Sequence, residues 1–303
     1  MRRRVWKAMA VTALAFAACF AIVLGLLVFG EPGVPSLGGN RVAVVAVEGL
    51  IVDPERVVRD LEQEVEDPSV RAIVVRIQSP GGVVAPTQEI YGAILRAREH
   101  DKPVVASMGS VAASGGYYLA AAADRIVANP GTLTGSIGVI MQLAEIQELL
   151  KKVGVRYEVI KAGRYKDIGN VSRPMSPEER AVLQALLDDM YEQFVGAVAQ
   201  GRHLDRTVVL ALADGRVYSG RRAKELGLVD ELGGLDDAIR LAGQLSGISG
   251  KPRVIRPKRP FRLADWLDWL IGRTSISPLG ISAPAFAGFP LLGSAKLPLY
   301  LMD

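Results

Sequence analysis

The chain has 303 residues, a single cysteine and a net charge of +4 at pH 7, and half of its residues are apolar. This length can bury a sizeable core, and the lone cysteine, Cys19, excludes an internal disulfide framework and a multi-cysteine zinc site. Ten of the 36 basic residues lie in two short clusters, 1–7 and 251–262, so the remaining 26 are outnumbered by 32 acidic residues. Such a distribution does not favour a nucleic-acid partner.

The N-terminus predicts a membrane anchor. Residues 1–7 are basic and precede Ala8–Phe29, which is 22 residues without a charge. A helix of that length reaches about 33 Å, enough for a hydrocarbon core of about 30 Å. We therefore expect one transmembrane helix in the cell membrane, with residues 1–7 in the cytoplasm and everything after Gly30 on the outer side. A cleavable signal peptide is the alternative, although its apolar core is usually shorter.

Residues 30–40 are rich in proline and glycine and predict a linker to one catalytic domain, about 41–250. Within that domain short apolar runs alternate with helical patterns, which is typical of an α/β fold with a mostly parallel sheet. Asp53 and Pro54 predict the start of one helix, and Ser176 opens a capping box for a long helix that continues to about Gln200. The predicted strands are Val42–Val47, Ala72–Ile77, Val104–Ser107, Arg125–Ala128 and Val155–Ile160.

Ser114 is the candidate nucleophile. It lies among small residues and is followed by Gly115 and Gly116. Small neighbours leave a nucleophile accessible, and glycine allows backbone N–H groups to approach a developing oxyanion. Because the two histidines, His100 and His203, lie in charged, turn-like segments, the pattern points to lysine as the base.

Six segments follow one another along the chain: VAVVAVEG (42–49), IQSPGG (77–82), the serine segment (105–132), LTGSIGV (133–139), KAGRYKDIG (161–169) and ADGRVYSGRRAKELGLVDELGG (213–234). In composition and order they resemble the signal peptide peptidase family (SppA, peptidase family S49), membrane-bound serine proteases with a Ser-Lys dyad. The resemblance covers about two-thirds of the chain and implies the spiral α/β fold that crotonases and caseinolytic proteases share.

The resemblance also implies roles for individual residues. Ser114 in AASGGYY would be the nucleophile and Lys166 in RYKDIG the general base. Ser136 in LTGSIG would hold the lysine amine. The backbone N–H groups of Gly82 and Gly115 would form the oxyanion hole, Gly81 being the less suitable neighbour. The family implies no cofactor and no metal.

A lysine base imposes a physical requirement on the site. A lysine accepts a proton only when it is neutral, and its ordinary pKa of about 10.4 leaves well under 1% neutral at pH 7. We therefore expect the amine of Lys166 to be buried, because burial disfavours the charged form. Asp167 would oppose this, and we expect its side chain to face away from Ser114. Tyr117 and Tyr118 are expected to be core or pocket-wall residues.

The function implied is a membrane-anchored serine endopeptidase that degrades released signal peptides and other unstructured hydrophobic peptides, assembled as a homo-oligomeric ring. One alternative is a related Ser-Lys membrane protease that acts on a dedicated membrane-protein partner. Another is a crotonase-type acyl-CoA enzyme, which would not need Ser114 and Lys166 together.

Residues 251–303 form a basic and amphipathic C-terminal tail. Its segment Leu263–Ile271 predicts a helix that packs on a partner or lies at a membrane interface. Two aspartates within this apolar run argue against a second membrane span.

Overall fold

The computed structural model describes residues 40–257 and the backbone of Leu299–Tyr300. The strands are β1 (Arg41–Glu48), β2 (Val70–Ser79), β3 (Gly82–Val83), β4 (Val104–Ala113), β5 (Arg125–Ala128), β6 (Leu133–Gly135), β7 (Val217–Ser219), β8 (Glu231–Leu232), β9 (Arg253–Ile255) and β10 (Leu299–Tyr300). Eight strands of residues 40–257 form one sheet, in the order β7-β6-β4-β2-β1-β9, with β5 against β4 and β8 against β5. The β6–β7 pair is antiparallel, and the other pairs of this sheet are parallel. The mostly parallel α/β sheet is therefore confirmed.

Helices cover both faces of this sheet. The helices of residues 40–257 are α1 (Glu55–Glu66), α2 (Val84–Glu99), α3 (Gly115–Ala121), α4 (Gln147–Lys152), α5 (Pro177–Arg202), α6 (Arg206–Leu212), α7 (Gly220–Glu225) and α8 (Leu235–Leu245). One face packs on α8 through Ala238, Ile239 and Ala242. The other face carries the larger core, to which α1, α2, α3 and α5 contribute.

The strand predictions hold where a neighbouring strand is available. The first four predicted strands lie within β1, β2, β4 and β5. The fifth, Val155–Ile160, is wrong for a single chain, because the segment has no strand assignment and its side chains are exposed. Alternating apolar residues predict a strand, but strand pairing also needs a free edge beside them.

The helix signals are largely confirmed. Ser176 Oγ accepts from the N–H of Glu179 at 3.2 Å and the Glu179 carboxylate accepts from the N–H of Ser176 at 3.0 Å, which completes the predicted capping box of α5. Helix α1 begins one residue later than predicted, at Glu55, since Pro54 is its N-cap. The Asp53 carboxylate still accepts from the N–H of Glu55, at 2.9 Å.

The predicted transmembrane segment Ala8–Phe29, most of the linker and the predicted tail helix Leu263–Ile271 lie outside the described residues. Among the helices that are described, none has the length and apolar character that a bilayer crossing requires. The tail does contribute to the sheet, because β9 pairs in parallel with β1.

Candidate active site

Ser114 lies where β4 ends and α3 begins, in a sharp turn with φ 52° and ψ −118°. A positive φ is strained for a residue with a side chain and costs of order 1–3 kcal/mol, so the surroundings must impose it. Two backbone hydrogen bonds do this, from the N–H of Ser114 to the carbonyl of Gly135 at 2.8 Å and from the N–H of Tyr118 to the carbonyl of Ser114 at 2.9 Å. The residue is fully buried, and its Oγ has no hydrogen-bond partner within the described part of the chain.

Gly82 and Gly115 contact each other beside this turn. A Cβ on Gly115 would lie 3.2 Å from the backbone nitrogen of Gly82, and a Cβ on Gly82 would lie 2.0 Å from the carbonyl oxygen of Ile51. Only glycine fits at Gly82 without a backbone shift. The N–H of the neighbouring Gly81 donates to Ser79 Oγ at 3.1 Å, so it is not free to bind an oxyanion. The structure thus brings both predicted oxyanion glycines to the nucleophile.

The strand β3, which begins at Gly82, is bordered on both sides. Ile51 forms a parallel bridge to Gly82, and the N–H of Val83 donates to the carbonyl of Ile51 at 2.7 Å. On the other side, β10 of the same chain pairs with β3 in antiparallel register. Both sides of β3 are therefore occupied within this chain, one of them by its own strand β10.

Ser136 is also close to Ser114. The register of β4 and β6 pairs Ala113 with Gly135, so the two serines follow directly on neighbouring strands. Ser136 is buried with φ 51°, and its N–H donates to the carbonyl of Arg216 at 2.9 Å.

Lys166 is not brought to this cluster in a single chain. It lies in a loop between α4 and α5 and is exposed. Because Ser114 Oγ has no hydrogen-bond partner among the described residues, the lysine amine does not reach it. The expectation of a buried amine is therefore wrong for one isolated copy, in which Lys166 faces solvent.

The Asp167 carboxylate, which was expected to face away from Ser114, is held by two cations. It accepts hydrogen bonds from Lys161 Nζ and, at 3.0 Å, from Arg173 Nε. These bonds, first that of Lys161 and then that of Arg173, lower the pKa of Asp167. Arg173 also donates to Glu179 at 2.8 Å, and this bond, together with the N–H of Ser176, lowers the pKa of Glu179 to about 2. We call Lys161, Asp167, Arg173 and Glu179 the charged clamp.

The charged clamp was not predicted from the sequence, in which Asp167 was expected only to oppose a neutral lysine. The available signal was the alternation of opposite charges at a spacing of six residues, in Lys161, Asp167, Arg173 and Glu179. A spacing of six does not bring side chains together on a helix, and on a strand it puts them on one face but about 20 Å apart, so only the folded loop reveals the contacts.

Tyr117 and Tyr118 follow Ser114 on α3. Tyr117 and Tyr118 are buried, as expected for core residues, and the Tyr117 hydroxyl donates to the carbonyl of Leu228 at 3.0 Å. Desolvation raises the pKa of both hydroxyls.

Among the described residues, no group of three or more histidine, cysteine or acidic side chains is placed to hold a metal ion.

Comparison with known proteins identifies the family. Residues 96–249 match Peptidase family S49. A putative protease of Synechocystis is 47% identical over 210 residues, which are 69% of this chain and 76% of that protein. A putative protease of Methanocaldococcus jannaschii is 40% identical over 219 residues, 71% of this chain and 69% of that protein. The chain belongs to peptidase family S49.

The resemblance drawn from the motifs is thus confirmed, and an S49 peptidase is a hydrolase of peptide bonds. A putative signal peptide peptidase SppA of Enterococcus faecium is 35% identical over 213 residues, 66% of this chain and 62% of that protein. The family match includes Ser114, Ser136 and Lys166, whereas Gly82 precedes the matched residues 96–249.

Proposed function

We propose that this S49 peptidase is a membrane-anchored serine endopeptidase with Ser114 as nucleophile and Lys166 as general base. The observation that carries the proposal is the hydroxyl of Ser114, which is buried without a partner on a strained turn. An unpaired buried hydroxyl costs about 1–3 kcal/mol, and strain of this kind clusters at active sites. The mostly parallel sheet fits the crotonase-like spiral of the resemblance.

The chemistry follows from the arrangement. The neutral amine of Lys166 takes the proton of Ser114 Oγ while the oxygen attacks the scissile carbonyl. The backbone N–H groups of Gly82 and Gly115 stabilise the oxyanion that forms. The lysine ammonium then returns the proton to the leaving amine, and water hydrolyses the acyl-enzyme. Ser136, next to Ser114, holds the lysine amine in place.

A second copy of the chain completes the dyad in this proposal. Two observations support it, the unpartnered hydroxyl of Ser114 and the exposed position of Lys166. Contact with another copy would bury the amine and so favour its neutral form. A head-to-tail contact of this kind, repeated around a closed ring, gives one complete site per interface.

The segment Val155–Ile160 supports such a contact. It has no regular secondary structure, alternates apolar and charged residues up to Val159, and leaves Tyr157 and Ile160 exposed by 63% and 95%. An exposed segment with this alternation can form a strand when it pairs with another chain. Since Lys166 follows it by six residues, a strand docked on a second copy would carry the lysine with it.

The substrate would bind as an extended strand on β3. The pairing of β10 with β3 supports this, because β10 lies along the strand that begins at Gly82, and a substrate strand would take the place of β10. Leu50 and Val52 are exposed beside the bridge from Ile51 to Gly82, which gives the edge an apolar border. Backbone pairing with apolar contacts suits unstructured hydrophobic peptides, such as released signal peptides.

The membrane anchor is also part of the proposal. Ala8–Phe29 would span the cell membrane and hold the catalytic domain at its outer face, where signal peptides leave the bilayer. Resistance of the full chain to alkaline extraction, lost on deletion of residues 1–29, tests the anchor independently of activity. Release of the full chain by alkali would refute the membrane anchor.

Fluorophosphonate labelling of the purified full chain tests the dyad. We expect a single labelled peptide containing Ser114, and loss of labelling in Ser114→Ala and Lys166→Ala. Matched controls are Ser110→Ala and Lys152→Ala, which remove an exposed serine and an exposed lysine of the same domain. Labelling of Ser114→Ala at the wild-type level would exclude the assignment.

The substrate class has its own test. A detergent-solubilised signal peptide and a folded globular protein are incubated with wild type and Ser114→Ala, and products are read by mass spectrometry. We expect cleavage of the peptide and of the denatured protein only. Equal cleavage of the folded protein would refute the signal-peptide function while leaving the dyad intact.

A further inference from the structure

Apart from the charged clamp, few contacts hold the loop that carries Lys166. Every residue from Val153 to Lys166 is exposed. The backbone hydrogen bonds near the lysine close only tight turns, from Lys166 N–H to the carbonyl of Gly163 at 3.2 Å and from Ile168 N–H to that of Tyr165 at 3.1 Å. Apolar packing therefore does not fix the position of the lysine. Its position must depend on the polar side-chain contacts of the loop.

Arg173 is the centre of those contacts. Its guanidinium bonds the Asp167 carboxylate at 3.0 Å and the Glu179 carboxylate at 2.8 Å. Glu179 is nearly buried and belongs to the capping box of α5, so it is a rigid attachment point. A planar guanidinium can bridge two carboxylates with several bonds, which an ammonium cannot do with the same geometry. Arg173 thus fastens the residue next to Lys166 to the first turn of α5.

The clamp also controls charge beside the lysine. A free carboxylate adjacent to an amine favours the ammonium form, which cannot act as a base. Asp167 instead directs its carboxylate to Lys161 and Arg173. The charged groups on the loop and the first turn of α5 are Arg156, Glu158, Lys161, Arg164, Lys166, Asp167, Arg173, Glu178, Glu179 and Arg180.

We propose that Arg173 is a positioning residue for the general base: it fastens the Lys166 loop to Glu179 and keeps the charge of Asp167 directed away from the lysine amine. This inference rests on the proposed function of Lys166. It predicts that Arg173 governs the turnover rate and the pH dependence of peptidase activity without contacting the substrate.

The test compares Arg173→Gln with Arg202→Gln in the full chain. Arg202 is a matched control, because it also bonds a carboxylate through two nitrogens, each at 2.9 Å from Asp230, but at the opposite end of α5. We expect Arg173→Gln to lower kcat by roughly tenfold to a hundredfold with little change in KM, since misplacing a catalytic group affects the chemical step. Hydrogen exchange should become faster at residues 163–170, and the pH of half-maximal activity should rise by roughly 0.5 to 1 unit.

A double variant separates the two effects of Arg173. Adding Asp167→Asn to Arg173→Gln removes the carboxylate, so the pH of half-maximal activity should return towards that of wild type while the fast exchange persists. Wild-type kcat and exchange in Arg173→Gln would overturn the inference. Equal losses in Arg173→Gln and Arg202→Gln, with an unchanged pH profile, would also overturn it, because they would reflect general destabilisation. Retained activity in Lys166→Ala would instead refute the proposed function, and the exchange data would still report on the clamp.

Discussion

Ser114 and Lys166 are held by different kinds of structure. Ser114 lies between a buried strand and a buried helix, and backbone hydrogen bonds from two elements fix its strained turn. Lys166 lies on an exposed loop that turns and ion pairs hold. The core thus positions the proposed nucleophile before any partner binds, whereas the proposed base depends on surface charges and, in our account, on a second copy.

This difference predicts where stability and activity are coupled. Changes that displace the backbone around Ser114 should impair folding and catalysis together, because the same packed backbone serves both, whereas removal of the Ser114 hydroxyl alone should impair only catalysis. Changes in the Lys166 loop should affect catalysis with little cost in folding stability, since the loop buries few side chains.

The largest expected effect is that of Ser114→Ala. Peptidase kcat/KM should fall by at least roughly a thousandfold, as expected when a catalytic nucleophile is removed. The thermal midpoint of unfolding should stay the same or rise, because the substitution removes an unpartnered buried hydroxyl. Ser110→Ala, four residues earlier and exposed, is the control and should change neither quantity. Residual activity within tenfold of wild type would contradict the assignment.

Gly82→Ala should impair folding and catalysis together. The added Cβ would lie 2.0 Å from the carbonyl oxygen of Ile51, so the backbone has to shift, at a cost of about 1–3 kcal/mol. Calorimetry should show a lower unfolding midpoint, and the displaced N–H should reduce kcat. Gly131→Ala is the control, since a Cβ there meets no atom within 4 Å. Equal midpoints for the two variants would refute the close packing at Gly82.

The smallest effect is expected in the clamp, from Glu179→Gln. Glutamine keeps the capping box but loses the charge that Arg173 bonds. Because the fold lowers the pKa of Glu179 from 4.5 to about 2, its ionised form stabilises the fold above pH 4.5, and this contribution disappears as the pH falls towards 2. The difference in urea midpoint between wild type and variant should therefore narrow between about pH 6 and about pH 2. Glu225→Gln, in an exposed pair with Arg222, is the control. A difference that is constant with pH would contradict the assigned pKa.

The sequence predicted the parts of the fold that local patterns determine. The β-branched run of β1, the capping box at Ser176 and the small residues around Ser114 each carry their signal within a few positions. Ser136 and Gly82 came from the resemblance, and the structure places both beside Ser114.

Features that depend on distant contacts escaped prediction. Val155–Ile160 has the pattern of a strand, yet within the described residues no edge pairs with it. The pairing of β9 with β1 joins segments about 200 residues apart, and no local pattern encodes it. The clamp needs a folded loop to bring its four charges together, so its residues looked like ordinary surface groups.

Complementation between two inactive chains tests the central claim most directly. Full-length Ser114→Ala and Lys166→Ala, carrying different tags, are coexpressed, and assemblies containing both are purified through both tags. If each site takes Ser114 from one copy and Lys166 from the next, random mixing restores about a quarter of the wild-type sites. We predict activity near that level in the mixed assembly and none in either variant alone. A mixed assembly as inactive as its parents, under conditions where wild type is active, would contradict a dyad shared between copies.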